Sequence, residues 1–226
     1  MYLSRVPLNP ARRGTRKFLT SPQVIHAAVL SSFPPGTLEQ PDNQGRVLWR
    51  IDQHDNAMHL YVVSPAEPDF THIVEQTGWP TTTAWATRKY GELLDTLVTG
   101  QRWHFRLTAN PVRRTMNPTG ASTRKRGAVG GLKADEQLDW LRRKASDNGF
   151  ELAPCGPVDL VEDDVRIVGR QSLQFRRGAA SVSLSTATFE GVLIVSDPAR
   201  LRSALTHGIG RAKGYGCGLL TLAPNR

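Results

Sequence analysis

RVLWRID, residues 46–52, and MHLYVVS, residues 58–64, are the two stretches on which the fold prediction depends. Both are rich in branched and aromatic residues, and a short polar segment separates them, which is typical of two strands joined by a turn. Before them, a Ser-Pro pair at residues 21 and 22 marks the start of a helix, and two prolines end it near Phe33.

The flanking segments complete a unit of order β-α-β-β-α-β. Residues 1–8 supply the first strand, a basic loop follows at 12–17, a weak helix lies near 70–76, and residues 81–90 hold the last strand. This is the order of the ferredoxin-like unit. We expect the buried stripe of the first helix to comprise Val24, Ile25, Ala28, Val29 and Phe33.

A second unit of the same order begins near Arg102. RWHFRLTAN, residues 102–110, alternates apolar and polar residues, which predicts a strand with one buried and one basic face. The remaining elements are a helix at 134–148, a hairpin of strands 165–177 and 182–195, a helix at 198–207 and a strand at 218–222. The predicted fold class is α+β, with two tandem ferredoxin-like domains at 1–98 and 99–226.

Charge is unevenly distributed along the 226 residues, whose net charge is +9. Four segments without Asp or Glu hold 22 of the 29 Lys and Arg residues: 1–38, 96–134, 165–189 and 198–226. Residues 39–95 hold nine acidic and four basic residues. A solvated surface of mixed sign is the alternative for any one cluster, but four such segments favour surfaces that neutralise phosphates.

Composition also excludes several classes of protein. No stretch approaches the roughly 18 to 20 uncharged apolar residues of a membrane span, so we expect a soluble protein that is not exported. Cys155 and Cys217 form no C-x-x-C motif, which excludes a disulfide framework and a zinc knuckle. The expected location is the cytoplasm, with no metal and no cofactor.

The C-terminal stretch GIGRAKGYGCGLL, residues 208–220, is the most specific motif. It matches neither the Walker A pattern nor G-x-G-x-x-G, which argues against a nucleotide cofactor. A flexible surface turn is one interpretation. A binding loop whose backbone approaches a phosphate chain is the other, since the stretch is basic and adjoins an apolar strand. Its glycines are Gly208, Gly210, Gly214, Gly216 and Gly218.

Several segments together resemble one family, the CasE proteins, which are CRISPR repeat-processing endoribonucleases of type I-E systems. The segments are MYLSRVPLNP (1–10), RLTANPVRR (106–114), DWLRRKA (139–145), FEGVLIVSDP (189–198) and GIGRAKGYGCGLLTLAP (208–224), with the helix that carries His26. The resemblance implies a metal-independent enzyme that cuts precursor CRISPR RNA at the 3′ base of its hairpin. It also implies retention of the mature CRISPR RNA and assembly with the other Cascade subunits.

His26 matches the catalytic histidine of that family. It lies about 100° from Ile25 around the helix, at the margin between core and solvent, where a lone histidine is most often structural. Imidazole can serve as base for an attacking ribose 2′-hydroxyl or as acid for the departing 5′-oxygen. The products would be a 2′,3′-cyclic phosphate and a 5′-hydroxyl. Gln23 stands where relatives often have Tyr, so the group that protonates the leaving oxygen stays open.

The basic residues are candidate contacts to the RNA stem, because A-form RNA is recognised largely through phosphates and 2′-hydroxyls. Their alternative role is to form a solvated, charged surface. We predict RNA contacts for Arg12, Arg13, Arg113, Arg114, Arg124, Lys125, Arg126, Arg166, Arg170, Arg176, Arg177, Arg211 and Lys213.

Two rival functions use the same basic surfaces. In the first, the protein is a non-catalytic subunit that binds hairpin RNA, and His26 is an ordinary helix residue. In the second, it adheres to anionic membranes, which the lack of an amphipathic aromatic face beside the basic clusters disfavours.

Overall fold

We describe the fold from a computed structural model of the chain. The described residues are 1–38, 45–55, 57–79, 85–112, 132–157, 161–178 and 180–225, with the side chain of Arg177 excepted. Two antiparallel sheets dominate them, one from each half of the chain.

The first sheet has four strands in the order β2-β3-β1-β4, and all its pairings are antiparallel. With strands numbered along the chain, this is the arrangement of a ferredoxin-like unit, which confirms the fold prediction for this half. Its elements are β1 (Tyr2–Leu8), α1 (Arg13–Leu19), α2 (Pro22–Leu30), β2 (Leu48–His54), β3 (Ala57–Ser64), α3 (Thr71–Thr77), β4 (Ala86–Lys89) and α4 (Gly91–Asp95).

Helix α2 begins where the sequence predicts. The Ser21 side chain accepts a hydrogen bond from the backbone N–H of Gln23 at 3.3 Å, and Pro22 occupies the first turn. The predicted stripe is buried at Ile25, Val29 and Phe33 and half-buried at Ala28, but Val24 is 40% exposed. Val24 was placed wrongly, because α2 packs against the sheet along a narrow line centred on Ile25 and Val29.

The basic segment at 12–17 is mostly helical, so the loop prediction for it was wrong. Helix α1 buries Phe18 and Thr15, and the Thr15 hydroxyl donates to the carbonyl of Thr77 at 3.2 Å. No side-chain cap stands at its start, so the usual sequence signal for a helix is missing. Contacts with α2 and α3 stabilise this short helix.

The second sheet has the order β11-β5-β10-β6, again the ferredoxin-like arrangement. The second half therefore also has the predicted fold class. Its elements are β5 (Arg102–Ala109), α5 (Ala134–Asp147), β6 (Phe150–Leu152), β7 (Pro154–Cys155), β8 (Glu162–Asp163), β9 (Val165–Arg177), β10 (Ala180–Val195), α6 (Pro198–His207), a 3₁₀ turn (Lys213–Tyr215) and β11 (Leu220–Pro224).

The second strand of this unit was assigned wrongly. The sequence indicates residues 165–177 for that position, but the three-residue strand β6 pairs with the end of β10 at residues 193–195. Strand β9 pairs with residues 180–191 of β10, on the same edge as β6. The long hairpin therefore extends beyond the core of the unit, and a run of three residues was too short to be read as a strand.

Arg50 joins the two sheets. This side chain is 2% exposed, and it makes two bonds of 2.7 Å to the carboxylate of Asp52. It also donates to the carbonyls of Arg106 and Leu219 at 2.8 and 2.9 Å and to the Thr221 hydroxyl at 2.8 Å. A buried charge is tolerated here because its donors are satisfied.

Apolar residues of both sheets also belong to one buried cluster, which includes Leu48 and Val63 of the first sheet with Leu107 and Leu220 of the second. The division of the chain at residues 98 and 99 stays a prediction. The shared cluster and Arg50 hold β2 against β5 and β11, and this contact determines what lies beside the Gly-rich loop.

Candidate nucleic-acid interface and catalytic site

The Gly-rich loop, residues 208–218, is packed into the protein. Its two ends are joined by a hydrogen bond from Ile209 N–H to the carbonyl of Gly218 at 2.9 Å, and Gly218 N–H donates to Thr108 of β5 at 2.7 Å. Ile209 and Cys217 are buried, and burial raises the pKa of the Cys217 thiol to about 12. These contacts argue against a free surface turn, while binding of a phosphate chain by the loop stays a prediction.

Left-handed backbone explains the density of glycine at four positions, since φ is +77° at Gly208, +82° at Gly210, +78° at Gly216 and +89° at Gly218. A Cβ at Gly216 would also lie 2.7 Å from the Trp49 ring, closer than packing allows. Gly214 differs from the other four, because its φ lies outside the left-handed range.

Gly214 lies against the ring of His26. A Cβ built on Gly214 would be 3.3 Å from His26 Nε2, 3.5 Å from Cε1 and 3.6 Å from Cδ2. The absence of a side chain at this position therefore lets the loop backbone approach the Nε2 end of the imidazole. His26 is half-buried, as its place at the margin of α2 predicts. The two most specific features of the sequence, 188 positions apart, meet at one point.

Lys213 precedes Gly214 in the 3₁₀ turn and is half-buried. Its stem crosses the loop, because Lys213 Cγ would lie 3.3 Å from a Cβ on Gly218. Desolvation by burial lowers the pKa of Lys213, and the positive charge of Arg46 lowers it further. Arg211 is exposed on the same loop. The loop therefore presents one partly desolvated and one solvated cation.

The cations of α1 are used partly for structure. Arg12 Nη1 donates to the carbonyl of Gly78 at 3.1 Å, which ties the start of α1 to the end of α3. Arg13 is exposed in the first turn of α1. Gln23 is exposed one helical turn before His26, so its amide is available to a ligand that reaches this part of α2.

The hairpin formed by β9 and β10 carries exposed charge. Arg170 and Arg176 lie on one face, since side chains alternate along a strand, and both are exposed. Arg170 Nη2 donates to the carbonyl of Leu132 at 2.9 Å. Arg166 instead pairs with Glu190 at 3.4 Å, and the same carboxylate lies 3.1 Å from Arg106. Arg166 is thus part of an ion-pair network.

Some predicted contacts cannot be located. The side chain of Arg177 lies outside the described residues, and so do five residues of the basic segment between β5 and α5: Arg113, Arg114, Arg124, Lys125 and Arg126. Their assignment to RNA stays a prediction. Among the described residues, no group of three His, Cys, Asp or Glu side chains could hold a metal ion.

A cleft of about 430 Å³ lies between β2 and the β9–β10 hairpin, beside the Gly-rich loop. Tyr215 and Gly216 line it, and so do Trp49, Phe175 and Ile25, the residue before His26. No functional role for these aromatic residues is evident from the sequence, because Trp49 and Phe175 occur in ordinary strand patterns and only the contact between the halves brings them together.

The comparisons agree with this fold. The family model described as CRISPR associated protein matches residues 1–224. The chain is 31% identical to the CRISPR-associated endoribonuclease Cse3 of Thermus thermophilus and 30% identical to the Cascade subunit CasE of Escherichia coli, and each match covers 99% of this chain and 100% of the relative.

A solved structure of Thermus thermophilus Cse3, bound to an RNA representing a pre-cleavage complex, superposes with a TM-score of 0.76 at 29% identity. The match covers 99% of this chain and 98% of that one. The fold and these matches thus define a CRISPR-associated protein with tandem ferredoxin-like domains. The chain belongs to the family of Cse3 and CasE, which confirms the resemblance found in the sequence.

None of the helices in the described part of the chain is long and apolar enough to cross a membrane.

Proposed function

We propose that the protein is an endoribonuclease that binds the repeat hairpin of precursor CRISPR RNA and cuts it at the 3′ base of the stem. The observation that carries this proposal is the contact between His26 and Gly214, which joins a proton-transfer group to a loop suited to a phosphate chain. The names of the relatives, an endoribonuclease and a Cascade subunit, support it.

The proposed reaction is transesterification. The ribose 2′-oxygen loses its proton and forms a bond to the adjacent phosphorus, while the bond from phosphorus to the 5′-oxygen breaks and that oxygen gains a proton. His26 transfers one of these protons, either as base or as acid. The products are a 2′,3′-cyclic phosphate and a 5′-hydroxyl, and the balance needs no metal and no oxidant.

Charge on the pentavalent phosphorus requires a nearby cation. Lys213 is the better candidate than the basic residues near α1, because it adjoins Gly214 in the turn that meets His26. Arg12, by contrast, donates to the carbonyl of Gly78. The lowered pKa of Lys213 reflects a charge that is poorly solvated in the free protein. A phosphate anion beside it would restore favourable interactions to that charge.

Binding of the stem falls to the exposed cations. We propose that Arg170, Arg176 and Arg211 contact phosphates of the duplex, together with Arg13 of α1. Their exposure supports this role, since each contact releases condensed counterions. The protein then keeps the cleaved hairpin and joins the Cascade complex in the cytoplasm.

A cleavage assay with EDTA tests the activity. Purified protein is incubated with the CRISPR repeat hairpin of its own host, and the 5′ product is treated with acid or with a phosphatase. We expect one cut, and a product end that resists phosphatase until acid opens the cyclic phosphate. Binding without any cut would refute the assignment as an enzyme and would favour a non-catalytic RNA-binding subunit.

Retention of the product is measured separately. The cleaved hairpin is expected to dissociate more slowly than an unpaired RNA of equal length in a competition experiment. Rapid exchange of the hairpin would contradict the proposed role as a resident subunit.

A further inference from the structure

The cleft of about 430 Å³ adjoins the proposed reaction centre. Gly214 contacts the His26 ring, while Tyr215 and Gly216, the next two residues, line the cleft. Ile25, which precedes His26, lines it from the side of α2. The volume falls within the roughly 300 to 1,000 Å³ of small-molecule sites, and the cleft is separated from the imidazole by a single turn of backbone.

The lining combines aromatic rings with amide side chains. Phe175 and Tyr215 meet edge to face with centroids 4.8 Å apart, and the Trp49 ring lies against Gly216. Gln53 and Gln171 are exposed at the margin and line the same space. Unstacked nucleobases are recognised by this combination, since rings stack on their faces and amides bond to their edges.

The buried indole N–H of Trp49 supports the same interpretation. The indole is 3% exposed, and among the described residues its Nε1 has no hydrogen-bond partner. Buried indole N–H groups usually find an acceptor. Trp49 lines the cleft, so a carbonyl or ring nitrogen of a nucleobase bound there is a candidate acceptor.

The proposed cut determines which base can reach the cleft. The nucleotide on the 5′ side of the scissile phosphate is the last paired residue of the stem, so its base is held in the duplex. The next nucleotide is unpaired. We propose that the cleft binds the unpaired nucleobase immediately 3′ of the scissile phosphate. This inference rests on the proposed function of His26.

Holding that base would serve the chemistry. The 5′-oxygen that leaves belongs to the same nucleotide, so its position relative to the phosphorus is restricted when the base is bound. In-line attack requires this alignment, and orientation of reacting groups contributes strongly to rate. The cleft thus acts on the leaving group, while the Gly-rich loop acts on the phosphate.

The cleft and the stem-binding surface should differ in which RNA occupies them. After cleavage, the bound nucleotide belongs to the released 3′ fragment, so the retained hairpin does not occupy the cleft. Substitutions in the cleft should therefore weaken binding and cleavage of the precursor but leave binding of the product hairpin unchanged.

The first test uses two repeat hairpins that differ only at the nucleotide 3′ of the cut, one with its natural base and one abasic. We expect single-turnover cleavage of the abasic RNA to be about tenfold slower, within the range that base–aromatic stacking contributes. Gln171→Ala and Phe175→Leu should slow the natural RNA and add little further loss with the abasic one. Equal rates on both RNAs with the unaltered protein would overturn the cleft while leaving the His26 assignment intact.

The second test needs no cleavage. A hairpin with a 2′-deoxyribose at the cut and 2-aminopurine as its next base is titrated with protein. Stacking in the cleft should quench the fluorescence. Trp49→Phe keeps an aromatic side chain but replaces the indole and removes its N–H, so the same quenching should require more protein. Unchanged fluorescence on saturation would overturn the proposal, even for a protein that proved inactive.

Matched controls exclude general effects. Gln76→Ala alters an exposed amide on α3, outside the cleft, and should change neither readout. Circular dichroism melting verifies that Gln171→Ala and Phe175→Leu are folded. Both variants should bind the product hairpin with unchanged affinity. If they lost as much affinity for the product as for the precursor, these residues would contact the stem, which would contradict the proposal.

Discussion

The Gly-rich loop and the β9–β10 hairpin are both basic, yet they present their charge in opposite ways. Lys213 lies in a turn packed against α2 and is half-buried, whereas Arg170 and Arg176 are exposed along a strand. The proposed role of the loop depends on close approach of its backbone to a phosphate chain, and the proposed role of the hairpin depends on accessible charge. We therefore expect that changes in the shape of the loop mainly alter the reaction, whereas changes in the charge of the hairpin mainly alter affinity.

His26→Ala should produce the largest effect. Removal of a positioned acid or base typically costs about 10² to 10⁴ in rate. The proposed RNA contacts lie elsewhere, so affinity should stay within a few-fold. Single-turnover cleavage and a filter-binding titration measure the two quantities. Cleavage by the variant at the unaltered rate would remove His26 from the mechanism.

Gly214→Val should rank next. Its side chain would enter the 3.3 Å space beside the imidazole, and displacement of a catalytic group by about 1 Å can cost 10²-fold in rate. Gly91→Val is the matched control, since a Cβ there meets nothing within 4 Å and its backbone is not left-handed. Normal cleavage by Gly214→Val would show that the loop does not position His26.

Gly216→Val is expected to reduce the stability of the fold more than Gly214→Val does. This glycine has φ of +78°, and a Cβ would lie 2.7 Å from the buried Trp49 ring, so the variant should melt at a lower temperature than Gly214→Val. The order is measured by thermal unfolding. A higher melting temperature for Gly216→Val than for Gly214→Val would contradict the geometry of the loop.

Loss of charge from the hairpin should change affinity more than chemistry. With Arg170 and Arg176 both replaced by Ala, we expect weaker binding and a shallower salt dependence, by about 0.7 to 0.9 in the log–log slope per lost contact. The rate at saturating RNA should be unaltered. Arg88→Ala, at an exposed position of β4, is the control, and an equal loss in that variant would refute a specific role for the hairpin.

Lys213→Met should have the smallest effect. The substitution should leave the fold at least as stable, although it should weaken RNA binding. Because burial and Arg46 lower the pKa of Lys213, the folded protein holds this proton less tightly than the unfolded chain does. Stability therefore rises with pH between the lowered pKa and the ordinary value, and the charged form is unfavourable at neutral pH.

The variant should consequently melt no lower than the unaltered protein at pH 7, while RNA affinity falls. It should also lose the part of the stability gain at alkaline pH that Lys213 contributes. Thermal unfolding at several pH values measures this. A melting temperature several degrees lower at pH 7 would mean that Lys213 is needed for folding.

The ferredoxin-like fold class and the two most specific motifs could be predicted from the sequence alone. Branched and aromatic residues at 46–52 and 58–64 and alternation at 102–110 indicated the strands. The Ser-Pro start of α2 placed His26 at a helix margin. These features are local, since they depend on backbone preference and on the periodicity of apolar residues within one segment. The family resemblance was visible for the same reason, because motifs are read along the chain.

Tertiary structure decided which of these features meet. Helix α1, which no side-chain cap announces, forms because Phe18 and Thr15 are buried against neighbouring elements, and β6 was too short to recognise before it paired with β10. The contact of Gly214 with His26 and the cleft beside Trp49 depend on packing between the two sheets. Contacts between residues far apart in the chain arise from the packing of complete elements, so no local pattern of residues records them.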